Sequence, residues 1–273
     1  MDYTLRRGAG TPYDRAACAC GKREVFALPS PREYIQKVLD RNPFTPLWQA
    51  VFSYLKREII TLKLPPGEKL MESRIALELE VSRSPVRRAV EQLVMEGLVE
   101  THDGKPQVST ITKKDLQHLA FARFEIDGES AGLAAKRIMK EDLSAMENLL
   151  GQFETFHGEE PFYRFAIIDD KFHAIIYKSC GNPYLQSMYA VIRPSLLRYR
   201  YYSMTVYPDK EDMLRNTYVC HGAIFHALKN HLSHCAKVEA QQDASRMAET
   251  IAVIPNMVNY DIFKTLDNSA IDL

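Results

Sequence analysis

The chain has 273 residues, 46% hydrophobic and 26% charged, with 35 Lys and Arg balanced by 35 Asp and Glu. That length suits two domains or one large one, and the zero formal charge argues against loose, sequence-blind polyanion binding, so any nucleic-acid surface must be a local patch. Five scattered cysteines read as reduced thiols of a cytoplasmic protein, Cys18 and Cys20 form a lone C-x-C without a second pair, and no apolar run approaches the roughly 20 residues of a membrane span.

In chain order, residues 1–44 read as a flexible N-terminal extension. Arg6 and Arg7 are followed by glycine, proline and polar residues rather than by an apolar signal core. Leu47, Val51, Tyr54, Leu55, Ile59 and Ile60 then outline an amphipathic helix that stops at Leu64-Pro65-Pro66-Gly67. A short helix follows from Glu72 to Leu79 with Ile75, Ala76 and Leu79 inward. In VSRSPVRRAVEQLVMEGLV, from Val81 to Val99, the spacing predicts a helix with Val86, Val90 and Leu93 on one face. Arg83 and Arg87 share another face, with Ser84 and Arg88 beside them. Ser82 or Ser84 can cap this helix, and Pro85 is tolerated in its first turn. By itself it could be an ordinary helix with a solvated arginine face. Gly97 ends it, and two short extended pieces flank Asp103-Gly104-Lys105-Pro106 as a hairpin tip. Three helices plus a β-wing is a winged helix-turn-helix over residues 45–111, whose third helix would enter a major groove.

From Lys113 the pattern is helical, near 113–138, 140–157, 160–179, 183–206, 210–230 and 233–254, giving an antiparallel bundle over residues 112–256 and a tail at 257–273. The fold class is therefore mainly α, a winged helix-turn-helix followed by an all-helical bundle. Gly181-Asn182-Pro183 is a sharp stop and restart, and Pro194 falls inside the fourth bundle helix. Polar residues break the apolar stripes at a few places. Asp169 and His173 sit one turn apart beside Phe165, Ile168, Phe172 and Ile176. His221 lies among Leu214, Tyr218, Phe225 and Leu228. Asp243 interrupts the Ala236, Ala240, Met247 row, and Arg123 and Asp127 accompany Leu116, Ala120 and Ala134. Buried ionisable groups must be paired, hydrogen-bonded or metal-bound. Two imidazoles and two carboxylates suit a divalent ion such as zinc, nickel or manganese; the alternative is separate core polar groups satisfied locally.

LPPGEKLMES, VSRSPVRRAVEQLVMEGLV and the HDGKP wing resemble the DNA-binding domain of GntR-family bacterial transcription regulators from Leu47 to Thr110. The resemblance implies operator contacts from Ser82, Arg83, Ser84, Arg87 and the wing glycine Gly104, and the exposed Arg88 and Lys105 add to that basic patch. The family pattern has arginine directly after the glutamate that Glu72 matches. Here Ser73 and then Arg74 follow, so Arg74 would reach the phosphate from a neighbouring position. The Asp169-Asp170-Lys171-Phe172-His173 run, SCGNPYL and VCHGAIFHAL resemble the FCD effector-binding domain of the FadR-like branch. That resemblance implies a divalent metal on Asp169, His173 and His221. Where the family has a third histidine this chain has Asp243, while His234 falls in a different register. It also implies that Arg123 reaches a carboxylate effector, with Asp127 orienting it; an Arg123–Asp127 ion pair is the alternative role. Tyr199, Tyr201 and Tyr202 line or cap the bundle.

Together these readings describe a cytoplasmic, homodimeric, non-enzymatic regulator that binds a palindromic double-stranded operator and responds to a small carboxylate, without membrane association; the resemblance, not the residues, implies that it represses. The rival readings are the same fold binding an acyl effector without metal, and a metal-dependent hydrolase. The latter lacks an evident nucleophile with base and orienter.

Overall fold

The computed structural model describes residues 30–154, 162–207 and 209–253. The expectations for Cys18, Cys20 and the tail at 257–273 lie outside these residues.

The first element corrects the reading of residues 1–44 as flexible as far as residue 30 onward is concerned, because Pro31–Arg41 form helix α1. Ser30 and Glu33 make a capping box: the Glu33 amide donates to Ser30 Oγ (3.3 Å) and the Ser30 amide to Glu33 Oε2 (2.8 Å). Tyr34, Ile35, Val38 and Leu39 form an apolar stripe that joins the core around helix α2 (Leu47–Ile60). The Tyr34 hydroxyl meets Ser53 Oγ at 3.0 Å, and the Arg57 guanidinium stands 4.0 Å from the Tyr34 ring centre.

After the Pro65-Pro66-Gly67 break, α3 (Glu72–Glu78) and α4 (Arg83–Met95) follow, linked by a turn in which Glu80 takes φ 53°. Val86, Ala89, Val90 and Leu93 of α4 pack with Val51, Leu55 and Ile59 of α2. Strands β1 (Val99–His102) and β2 (Lys105–Val108) pair antiparallel from Val99↔Val108 to His102↔Lys105. Asp103-Gly104 is thus a two-residue turn with φ 50° and 72°, the double left-handed geometry that glycine and aspartate suit.

Six helices complete the chain: α5 (Lys113–Ala134), α6 (Lys140–Glu154), α7 (Phe162–Ser179), α8 (Pro183–Val206), α9 (Lys210–Lys229) and α10 (Ser233–Val253). The α5 and α10 backbones approach closely over small residues; a Cβ on Gly128 would stand 2.6 Å from Gln241 Cγ. Gly181, at φ 65°, ends α7, and the Asn182 side chain caps α8 by accepting from the Tyr184 amide (3.0 Å). On α9 the buried face is turned toward Cys220, Ile224 and Ala227, so Tyr218, read as inward, lies at the surface. The winged head meets the bundle along α8. Ile60 and Leu62 cluster with Leu197, Tyr201 and Tyr202, and Arg198 Nη1 donates to Ser109 Oγ (3.1 Å). Among the described residues no helix is long and apolar enough to cross a membrane.

Candidate functional site

The inward stripe of α4 leaves Ser82, Arg83, Ser84, Arg87 and Arg88 exposed. Ser82 is the N-cap by position but makes no side-chain capping bond, so its hydroxyl is not committed to the helix amides. Arg87 Nε lies 3.3 Å from Glu91 Oε1 in an exposed pair, and Arg88 stacks 4.3 Å from the Trp48 ring centre. Arg74, on α3, is exposed and pairs with Glu78 at 3.0 Å, while Gly104 and Lys105 project at the wing tip. These are donors able to meet phosphates and guanine edges.

In the bundle, five helices bring ionisable side chains to one buried spot. Arg123 and Asp127 come from α5, Asp169 and His173 from α7, Arg200 from α8, His221 from α9 and Asp243 from α10. His173 Nε2 and His221 Nε2 face each other at 3.1 Å. His221 Nε2 lies 3.4 Å from Asp169 Oδ1 and 3.9 Å from Asp243 Oδ1. His173 Nε2 lies 3.5 Å from Asp243 Oδ2 and 4.0 Å from Asp169 Oδ1. The Phe153 and Phe172 rings, with centres 5.1 and 4.3 Å from that of His221, hold the imidazole in place. A four-coordinate ion bonded at about 2.0–2.2 Å separates its ligand atoms by about 3.3–3.6 Å, so the observed separations bracket what such an ion needs. Mixed imidazole and carboxylate donors fit a borderline metal.

Electrostatics favour the same chemistry. Burial, together with Arg123, Arg200 and His221, drives the His173 pKa well below its ordinary value. Burial also lowers that of His221, although Asp243 and Asp169 oppose it. Both rings are therefore held neutral, the form that offers a lone pair to an ion, although an ion on His173 Nε2 would have to displace Arg123 Nη2, which meets that nitrogen here. Burial alone would raise Asp243, but Arg123, His221 and Arg200 outweigh it and hold that carboxyl below the usual range.

Arg123 is the hub. Its Nε donates to Asp127 Oδ2 (2.7 Å), and its Nη2 donates to Asp243 Oδ2 and to His173 Nε2, the latter at 2.9 Å. The Arg123–Asp127 pair, the alternative role read from the sequence, forms, and Arg123 also lines a cavity. That cavity, of about 560 Å³, has Arg123, Asp169, Arg200 and Asp243 on its wall and Tyr199 and Met247 among its other lining groups. Tyr199, Tyr201 and Tyr202 all pack in the cluster that joins bundle residues such as Leu116 and Met247 to Ile60 and Leu62, with Tyr199 the one of the three that lines the cavity, and His234 is exposed at the start of α10.

Two groups escaped the sequence reading. The Tyr177 hydroxyl donates to Asp127 Oδ1 (2.5 Å), and Arg200 pairs through Nε with Asp169 Oδ2. Neither interrupts a legible stripe.

The comparisons with known proteins agree with this architecture. Residues 47–108 match the bacterial regulatory proteins of the gntR family, and residues 118–242 match the FCD domain. The chain belongs to the GntR family. It is a transcriptional regulator with an FCD domain, not an enzyme. The GntR chain is 25% identical over 214 residues to the HTH-type transcriptional repressor RspR of Escherichia coli, covering 78% of this chain and 92% of that one. It is 25% identical over 195 residues to the uncharacterized HTH-type regulator YdhC of Bacillus subtilis, covering 71% and 85%. In fold it resembles a putative GntR regulator from Rhodococcus sp. RHA1, with TM-score 0.58 and 20% identity, covering 77% of this chain and 100% of that one. E. coli McbR/YncC is similar at TM-score 0.57 and 19% identity, covering 76% and 99%.

Proposed function

We propose that this regulator is a cytoplasmic homodimer that represses from a palindromic operator and answers to a small carboxylate bound in the bundle beside a divalent metal. The observation that carries the effector reading is the convergence of buried donor atoms in two triads that share His173, Asp169–His173–His221 and Asp127–His173–Asp243, beside a cavity of about 560 Å³. The charge pattern supports it. Two guanidinium groups, Arg123 and Arg200, face the formal charges of Asp127, Asp169 and Asp243, so a divalent ion would turn a local excess of one negative charge into one positive charge. The bound metal would supply that fixed positive charge and open positions for acid oxygens. Phe165, Met213 and Met247 also line the cavity, so what favours an acid over a purely apolar chain is the charge of Arg123, Asp169, Arg200 and Asp243 on the same wall.

Operator contacts are assigned to Ser82, Arg83, Ser84, Arg87 and Gly104, with Arg74, Arg88 and Lys105 on phosphates. Two-fold symmetry of a dimer would match a palindrome. Coupling has a physical route, because α8 carries Arg200 at the cavity and Arg198 and Tyr201 at the winged head. An effector acts through it only by binding two head placements with different affinity.

The test is a metal titration. Chelator-stripped protein is titrated with zinc, nickel and manganese while melting and metal content are followed. A ligand at a hundredfold its Kd stabilises by about 2.7 kcal/mol, and His173→Ala or His221→Ala should abolish the gain, Asp243→Ala less completely. Wild-type protein that retains none of the three metals overturns the metal reading.

A further inference from the structure

We propose that Arg200, rather than Arg123, supplies the guanidinium fork that grips the effector's acid group, with Arg123 a positioning residue for the donor cluster. This rests on the acid-effector reading above and assigns the residue that recognises the acid.

The two buried arginines differ in what their donors already do. Arg123 is committed on two edges, through Nε to Asp127 and through Nη2 to Asp243 and His173. Arg200 is only 4% exposed and uses Nε on Asp169 Oδ2. None of its three guanidinium nitrogens makes a formed hydrogen bond among the described residues; the contacts of Nε with Asp169 and of Nη1 with Asp170 are ion pairs only. The nearest remaining carboxylate, Asp170 Oδ1, stands 3.7 Å from Nη1. Asp170 is in any case already held by Arg193 Nε at 2.9 and 3.0 Å and by the Tyr189 hydroxyl at 3.0 Å. A buried guanidinium edge without an acceptor is unfavourable, and a planar carboxylate accepts two parallel bonds from such an edge. Arg200 also lines the cavity.

Asp169 fixes where that edge lies. Its Oδ1 faces His221 and His173, and its Oδ2 faces Arg200. Arg200 is thus tied through Asp169 to the donor cluster while lining the cavity, and an acid group that reaches its buried Nη edge would lie close to that cluster. Arg123 stays anchored through Nε to Asp127 whether or not an ion takes Asp243 and His173.

The experiment uses the full chain loaded with zinc. Acetate, glycolate, succinate and gluconate are titrated into wild-type protein by thermal shift, and the tightest acid is taken forward with its amide. Loss of a charge-assisted pair corresponds to about ten- to a hundredfold in affinity. Arg200→Gln should lose that factor for the acid while binding the amide as wild type does. Arg200→Lys should recover part of it, since an ammonium keeps charge but not the fork, and it also serves if Arg200→Gln fails to fold. Zinc content is measured by atomic absorption on each variant and the acid Kd taken for the loaded fraction, because Arg200 also pairs with Asp169 and its loss can lower zinc affinity. A role confined to orienting Asp169 predicts lost zinc with an unchanged acid Kd for whatever fraction remains loaded, and would overturn the proposal. Wild-type acid affinity in both variants overturns it too while leaving the acid reading intact. If no acid binds the zinc-loaded wild type at millimolar concentration, the acid reading falls and the proposal with it.

Discussion

Replacing Arg123 by Met tests whether the buried hub holds the bundle together. The guanidinium is 7% exposed and Asp127 3%, and the pair is closed by a 2.7 Å bond with Tyr177 on the far carboxylate oxygen. Removing one partner of such a pair leaves an uncompensated buried carboxylate and costs about 3–5 kcal/mol. At about 2–4 °C per kcal/mol for a chain of this size class, melting should fall by about 6–20 °C. Adding Asp127→Asn removes the stranded charge but keeps an acceptor for Tyr177, so the double variant should recover at least about 1 kcal/mol relative to additivity. Recovery stays partial because Asp243 also loses Arg123, although its side chain, 11% exposed, can draw on water in the cavity. Melting is followed by circular dichroism on chelator-stripped protein, which separates the hub from any metal contribution. Arg123→Met melting within about 2 °C of wild type would refute the reasoning. So would strictly additive losses in the double variant.

Two further outcomes follow from exposure and burial. Arg83→Ala and Arg87→Ala should each weaken operator binding by about 1–3 kcal/mol in mobility-shift titrations, the exposed Arg87–Glu91 pair adding little to stability. Lys105→Ala should weaken all duplexes alike and reduce the salt slope by about one; a double arginine variant with native operator affinity would contradict the groove assignment. Burial pushes the Cys220 thiol up to about 11, with Asp243 adding to the shift, whereas Cys235 is exposed. A short iodoacetamide pulse at pH 8 should therefore label Cys235 and spare Cys220, as read by peptide mass spectrometry, because only the thiolate reacts. Equal labelling of the two in native protein would contradict that burial.

Local signals account for what was legible in advance. Apolar spacing and punctuation placed the helices from α2 onward, because turns, caps and stripes are written within a few residues of one another. Asn182 and Pro183 start α8 as their chemistry dictates, and Asp103-Gly104 makes the tight wing turn. Helix α1 carried an equally local signal, the Ser30–Glu33 box with an apolar stripe at Tyr34, Ile35, Val38 and Leu39, but its position beside a polar tail masked it.

What the sequence by itself determined is the class of each element and the set of polar residues on apolar faces, Asp169, His173, His221, Asp243 and Arg123 among them. Tertiary structure alone decided their partners. Arg123 meets Asp243 across 120 positions and His173 across 50, separations over which periodicity carries no distance information. Arg200 was invisible for a related reason. Every residue from Leu196 to Met204 is buried, because α8 is covered by the winged head as well as by the bundle. A helix buried on all sides has no polar face against which a misplaced charge can be noticed.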